Sequence, residues 1–554
     1  MPKDVELHSD AMKLEAGELT YNEGVDTIWL MPWARLTRRR SHQENSVIES
    51  GNAVVTLKDG AIRLVEAQKA KGIDTYPERR LEYSADQLAV SYTPAGEVEK
   101  VIGDGNARLV SSSSSSLTTM TADRVDLAFA AANGESTLEK ALANGKGFVE
   151  SKPLPTAGVR VADTRVLSSE SIELNMRPGG KEIETVVTHS PGELLFLPNR
   201  AGERRRKLNG ERMWITYGAD NRIESCRSVQ VVTETEPSAE ERARNRSVAL
   251  TRSQNLTAAF DPRTGELARM EQWDNFIYKE GDRTATANRA VLESSRNLIT
   301  LEPNAKVADS GGWTSADRIQ MDQESGSFTA TGQVVSSRLP DKKAASDLFA
   351  AGEPLQATAQ KMTTSERNRR VRYEGNAVLW QGGSRITADE VEIDREKRGL
   401  TAVGKVVTQL LETGKKTTGF TIVKADKLVY TEQDRLANYS GGVLLNRTGL
   451  QVKAAQLRAY LAESSAESRI EKAYADGSVE IVQTANRRVR KGLGEHAEYH
   501  TAEEKILIRG GDPQLIDSER GLAKGTELTY FANDDRLLVT GAPGKPATSR
   551  IRKK

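Results

Sequence analysis

Acidic and basic residues run through this chain in near-equal number, 78 Asp plus Glu against 79 Lys plus Arg, and no acidic pair is set apart from the rest by its neighbours. General acid–base chemistry needs such a pair, with its proton affinity tuned by burial or by a like charge. Other reactive signatures are missing too: there is no Gly-x-Ser-x-Gly elbow, no His-Glu-x-x-His helix and no GxxxxGK[ST] phosphate loop. Five His are scattered without ligand spacing and Cys226 is the single cysteine, which excludes an internal disulfide and a Cys-based zinc site. Catalytic residues, metal and cofactor are therefore all read as none, and the chain as no enzyme. What the spacing does offer is apolar residues two apart: Val125 and Leu127, Ile319 and Met321, Val391 and Ile393, Leu428 and Tyr430, Leu528 and Tyr530. Ile386 and Val423 stand just upstream of two of these pairs. Residues so spaced line one face of a strand, and such a face can take up hydrocarbon. Each methylene removed from water contributes about 0.8 kcal/mol, so an acyl chain of roughly a dozen gains at most on the order of 10 kcal/mol.

A repeat positions these pairs. Its clearest copy is RYEGNAVLWQGGSRITADEVEID, Arg372 to Asp394, which holds two anchors. One is a Gly-x-Val/Ala step read as opening an apolar strand (Gly375-Asn376-Ala377-Val378); the other is an Ala-Asp step read as opening an alternating one (Ala388-Asp389-Glu390-Val391-Glu392-Ile393). The glycine anchor recurs at Gly51, Gly105, Gly332, Gly404, Gly442 and Gly477. The step recurs at Ala85-Asp86, Ala122-Asp123, Ala316-Asp317 and Ala425-Asp426, and more loosely at Ser169-Glu170 and Gly210-Glu211. Glycine entering a strand marks a bulge or corner, and the carboxylate can cap backbone N–H groups left open there. Intervals of about 37 residues, with irregular copies, suit strands joined by turns of variable length. Asp59-Gly60, Asn209-Gly210, Arg263-Thr264-Gly265 and Asn533-Asp534-Asp535 are compatible with hairpin turns. Pro237–Ser247 and Asp341–Ala359 interrupt the cadence and read as linkers or short helices, giving three repeat regions at 1–236, 247–338 and 355–551. The run Ser111–Ser116 reads as a flexible loop, because a featureless polar stretch buries too little surface to order itself.

Only 5% of residues are aromatic, and apolar positions alternate with Lys, Arg, Glu and Thr. Sheets with one dry face must cover it, and with few helices the cover is a second sheet or the same sheet folded over. Few Phe or Trp are present to plug the space between, so the enclosed layer is expected to be incompletely filled.

The stretch RYEGNAVLWQGGSRITADEVEIDREKRGLTAVGKVV resembles the repeat of the periplasmic lipopolysaccharide-transport bridge family, the LptA/OstA-like proteins. The tail from GLGEHAEYH to GKPATSRI is similar to that family's C-terminal pattern. The resemblance runs from about Leu355 to Ile551, and more loosely over Ser247–Arg338 and the residues before. It implies an all-β fold, an elongated stacked antiparallel β-jellyroll in which a folded-over sheet encloses an apolar groove. It also implies a function: shielding lipid A acyl chains between an inner-membrane ABC transporter and an outer-membrane translocon. The twelve apolar residues above become groove candidates, lipopolysaccharide the ligand, and like-folded domains the partners through edge-strand pairing. The chain is several times longer than the single-domain pattern, which suggests fusion with an LptC-like region. The location expected is periplasmic, with a leader or membrane anchor outside this sequence, since Met1 leads directly into strand-like residues.

Two other classes compete: a β-solenoid surface or structural protein, which needs no groove, and a polysaccharide-acting enzyme. The irregular interval and scarcity of aromatic platforms argue against the enzyme. Arg38-Arg39-Arg40 and Arg204-Arg205-Arg206-Lys207 read as solvated turns, with lipid phosphates or an anionic partner as the alternative. Balanced charge gives no reason to expect nucleic acid.

Overall fold

The computed structural model describes residues 5–8, 12–39, 45–77, 79–132, 135–155, 161–339, 353–365, 369–413, 418–462, 470–485 and 487–551. They are almost entirely antiparallel β. The chain forms two compact units, Met1–Thr284 with Asn288–Ser295, and Ala285–Ala287 with Arg296–Lys554.

In the second unit, each strand from Leu355–Ser365 to Arg488–His500 pairs with the one after it. The two anchors of the repeat do not open strands; they lie in the middle of long ones. Gly375 sits inside Arg370–Gln381 and Ala388-Asp389 inside Ser384–Asp394, and the pairing slips there, between Glu374 and Ala377 on one strand and between Thr387 and Glu390 on the other. Both anchors belong to one corner. Gly404 has φ +81, Lys405 after it has φ 49, and a Cβ at Gly404 would lie 2.4 Å from Oδ2 of Asp389 on the neighbouring strand. The same contact joins Gly332 to Asp317 and Gly441 to Asp426, and in the first unit Gly105 to Asp86 and Gly145 to Asp123. Two successive left-handed residues bend the strand, and the step on its neighbour accommodates the bend. Buried positions change parity across that step: Ser384, Ile386 and Ala388 before it, Val391 after it. One sheet therefore folds over on itself, and both halves of each strand turn the same dry face inward.

The folding over is visible in contacts between halves. The Tyr373 hydroxyl, before one corner, is 2.8 Å from Ser336 Oγ, after another. Tyr439, 1% exposed, meets Thr408 in the same relation, and burial pushes its phenol up to about 12. On the outer face the polar residues pair across strands, as Arg372 does with Glu392 at 2.9 Å and Lys361 with Glu374 at 2.9 Å. Such exposed pairs are worth a few tenths of a kcal/mol and mainly keep that face wet.

In the first unit, one apolar cluster gathers Leu14, Leu30, Val55, Val65 and Val90, and a second gathers Val125, Ile172, Ile215, Val231 and Leu256. Cys226 lies in the second, and burial pushes its thiol up to about 12, so it packs as a small apolar residue.

Several local expectations need correcting. Ser111–Ser116 is not a loop: Ser111 to Ser113 end the strand Val98–Ser113, Ser116 opens Ser116–Ala132, and only Ser114 and Ser115 turn. Ser113 Oγ accepts the backbone N–H groups of Ser115 and Ser116, at 3.3 and 3.1 Å, which tightens that turn. Asn209-Gly210 ends the strand Arg206–Gly210, and Gly210 packs against Ser228 where the chain breaks to Arg212–Tyr217. Asp59-Gly60, with φ 54 and 73, and residues 263–265 do form hairpin turns, as does 533–535. Pro237–Ser247 holds a helix, Ala239–Ala243, in the connection between two paired strands, Ile223–Thr235 and Ala249–Phe260. Of Asp341–Ala359, the part from Leu355 is strand and residues 341–352 lie outside the described ones.

Candidate functional site: the interior of the folded sheet

Register places the candidate residues of the second unit in rows that cross many strands. One row steps from Leu301 to Ile319, Ala330, Met362, Tyr373 and Val391. It continues through Ala402, Leu428, Tyr439, Leu457, Ala475, Ala497 and Ile508 to Leu528. No member is more than 4% exposed. Three of the sequence-derived pairs thus meet here through their first residues, Val391, Leu428 and Leu528, and Ile319 joins them from the fourth. Their second residues fall on the next row outward. Leu400 stands between Ile393 and Tyr430, Met321 pairs with Ile299 and Phe328, and Tyr530 pairs with Ile506 and Leu537. Ile386 and Val423 lie on the other half of the sheet, joined through Thr408. Ile319, Ile386, Val391, Leu428 and Leu528 are at most 1% exposed, as is Val423, while Met321 and Ile393 are half-buried.

Tyr530 departs from a purely apolar role. Its hydroxyl donates to Asp535 at 3.1 Å, and Arg490 lies over its ring at 5.0 Å. Asp535 also takes Arg488 at 2.8 Å and Arg490 at 2.6 Å, and Arg488 forks onto the buried carboxylate of Asp517. Burial opposes ionisation of Asp517, but the Arg488 guanidinium and two backbone N–H groups hold its carboxyl well below the usual range.

A cavity of about 60 Å³ opens in the second unit between Leu445, Leu450, Val452 and Ile481 on one side and Leu457, Ala473, Ala475 and Ile506 on the other. None of the twelve candidates lines it. A larger cavity of about 210 Å³ lies in the first unit, and Val125 and Leu127 do line it. Its other apolar walls, Leu36, Ile48, Tyr83, Leu88, Val90, Val101, Leu109, Met120 and Phe129, were not singled out from sequence. The signal was present as the same two-residue alternation, at Leu81-x-Tyr83, Val125-x-Leu127-x-Phe129 and Leu109-x-Ser111-x-Ser113, but serine hides the inward face in the last. In the second unit the overlooked residues are those two before each corner glycine, such as Tyr373 and Tyr439, and four after it, such as Leu379 and Leu445.

The basic run at 204–207 is paired residue by residue. Arg205 pairs with Glu236 at 3.3 Å, Arg206 with Asp163 at 3.1 Å, Lys207 with Glu234 at 2.9 Å, and Arg204 with Glu241. Arg38 lines the larger cavity; the Arg39 side chain and Arg40 lie outside the described residues. Among the described residues no group of His, Cys, Asp and Glu is arranged to hold a metal ion, and no helix is long and apolar enough to cross a membrane.

No curated protein matches the chain. Among solved structures, LptH of Pseudomonas aeruginosa, titled the LptA homologous periplasmic component of the conserved lipopolysaccharide transport device, is 14% identical. The alignment covers 24% of this chain and 95% of that one, with a TM-score of 0.22. Residues 340–417 and 422–536 match the family described as LptA/(LptD N-terminal domain) LPS transport protein. Over that part of the second unit, the one built on the inward row, the family this chain matches is the LptA/LptD N-terminal family of lipopolysaccharide transport.

Proposed function

We propose that this protein is a non-enzymatic periplasmic bridge that shields lipopolysaccharide acyl chains inside its folded sheet while they pass from the inner to the outer membrane. The observation that carries this reading is that the residues matched to a lipopolysaccharide-transport family include the middle of an unbroken, buried apolar row. Because the row repeats much the same surface at each strand, neighbouring positions along it are close in affinity for an acyl chain, and a lipid can advance at small net cost. The push comes from elsewhere, since the chain lacks a nucleotide-binding loop. Like-folded domains are the expected partners, docking through unpaired edge strands.

A photo-crosslinking residue placed at Ile393 or Tyr430 in cells is expected to capture lipopolysaccharide. Glu392 and Val429 alternate with them and project to the other face. Capture confined to those two positions would show that the lipid does not travel inside.

A further inference from the structure

The cavity of the first unit is not uniformly apolar, and its polarity is ordered. On one half of the sheet one row is Leu36, Ile48, Tyr83, Leu109 and Met120, with Gly72 leaving space for the Tyr83 ring. The next row outward, in register, is Arg38, Ser46, Asp74, Leu81, Ser111 and Thr118. Beyond it, at the turns, stand Tyr76, Arg79, Ser113 and Ser116, and all of these line the cavity. The opposite half is apolar through two rows, Val90, Val101, Leu127 and Ala141 and then Phe129 opposite Leu138, and turns polar only at its rim, at Ser136 and Lys181. One lip is hydroxyl and cation, the other hydrocarbon up to that rim.

Charge around the cavity mouth is mainly positive. Arg38 and Arg79 stand on the polar lip and Lys181 in the turn facing it, with Asp74 as the one carboxylate among the described lining residues; it accepts Ser46 Oγ at 2.6 Å and the Tyr83 hydroxyl at 3.3 Å. Arg79 is held in place: it lies over the Tyr76 ring at 4.9 Å and donates to the Gly180 carbonyl at 2.9 Å. Gly180 approaches the other lip so closely that a Cβ there would be 2.7 Å from the backbone nitrogen of Leu138. The turn carrying Lys181 thus touches both lips. At 210 Å³ the cavity is roughly fifteen times what one buried water needs, which suits a hydrocarbon chain and not an ion.

We infer that the first unit carries its own seat for an amphiphile with an anionic headgroup, the chain against Val90, Val101 and Leu127 and the headgroup against Arg79, Lys181 and the hydroxyls of Ser111, Ser113 and Thr118. This seat lies outside the residues matched to the transport family, and it shares with the proposed function only the premise that the ligand is a lipid.

The test uses the full chain and three probes followed by calorimetry: dodecyl phosphate, dodecanol and inorganic phosphate. Dodecyl phosphate is expected to bind about tenfold more tightly than dodecanol, the worth of a charge-assisted hydrogen bond, and inorganic phosphate alone to bind more weakly than either. Leu127→Trp, which fills the apolar wall, should abolish dodecyl phosphate binding. Lys181→Gln, at an exposed side chain, and Thr118→Val, which keeps the volume, should each weaken it about threefold without changing the melting temperature. Equal affinity for dodecanol and dodecyl phosphate would remove the headgroup seat. Unchanged dodecyl phosphate affinity in Leu127→Trp would remove the whole site. Crosslinking at Ile393 in the second unit reads the transport proposal separately, so either idea can fail while the other stands.

Discussion

Gly404 is constrained twice. Its φ of +81 is a left-handed conformation, and the Asp389 side chain fills the space a Cβ would take, with Cβ and Cγ both 2.9 Å away. Gly96 has φ +80 but nothing within 4 Å of a Cβ, so comparing the two separates backbone strain from crowding. Gly96→Ala is expected to cost about 1–2 kcal/mol, and Gly404→Ala a further 1–3 kcal/mol for the forced contact. Denaturant midpoints measure both, and equal losses would show that the aspartate yields freely. Sequence alone flags glycine and aspartate as recurrent, and even as corners. That they form one joint is invisible in it, because about fifteen residues separate them and only strand pairing brings them together.

Elements differ in how openly they announce themselves. Alternation at residues 124–127, 318–321, 427–430 and 527–530 predicts strands, and each lies in one. The serine run fails by the same logic: Ser111 and Ser113 alternate inward, but serine next to serine shows no periodicity. The five-residue helix Ala239–Ala243 depends on its ends, through a capping box between Ser238 and Glu241. A hydrogen bond from Arg204, helped by the Ser238 backbone and by Arg246, pulls the Glu241 carboxyl down to about 2 from 4.5, against the opposing effect of burial. A carboxylate lowered by folding stabilises fully above its unfolded pKa and loses that contribution as pH falls through its folded one. The stability gap between the wild type and Glu241→Gln is therefore expected to be constant above pH 4.5 and to shrink as pH falls toward 2. Urea melts across that range measure it, and a gap independent of pH would mean that the carboxylate is not ionically engaged.

At the scale of the whole molecule, the proposed lipid path predicts linkage. A ligand held only by the folded protein stabilises it by RT ln(1 + [L]/Kd), about 2.7 kcal/mol at a hundredfold excess over Kd. Adding lipopolysaccharide to the purified chain should therefore raise its melting temperature, whereas no shift, together with an organic extract free of lipid, would favour a structural role for the same sheets. The apolar faces belong to residues far apart in the chain. Ile319, Val391, Leu428 and Leu528 share one row only because each strand between them keeps its register.

By itself the sequence determined the strand class, the inward face of each alternating run and the family that the second unit matches, since side chains in a strand alternate with period two and composition shows which set avoids water. Tertiary structure alone decided which strands are neighbours, which glycine and which aspartate share a corner, and where the interior widens. It also decided that Arg38, Arg79 and a serine run meet on one lip of a cavity whose facing rows are hydrocarbon. Register is a property of pairs of strands, so no single segment contains it, and both the inward row and the polar lip consist of register.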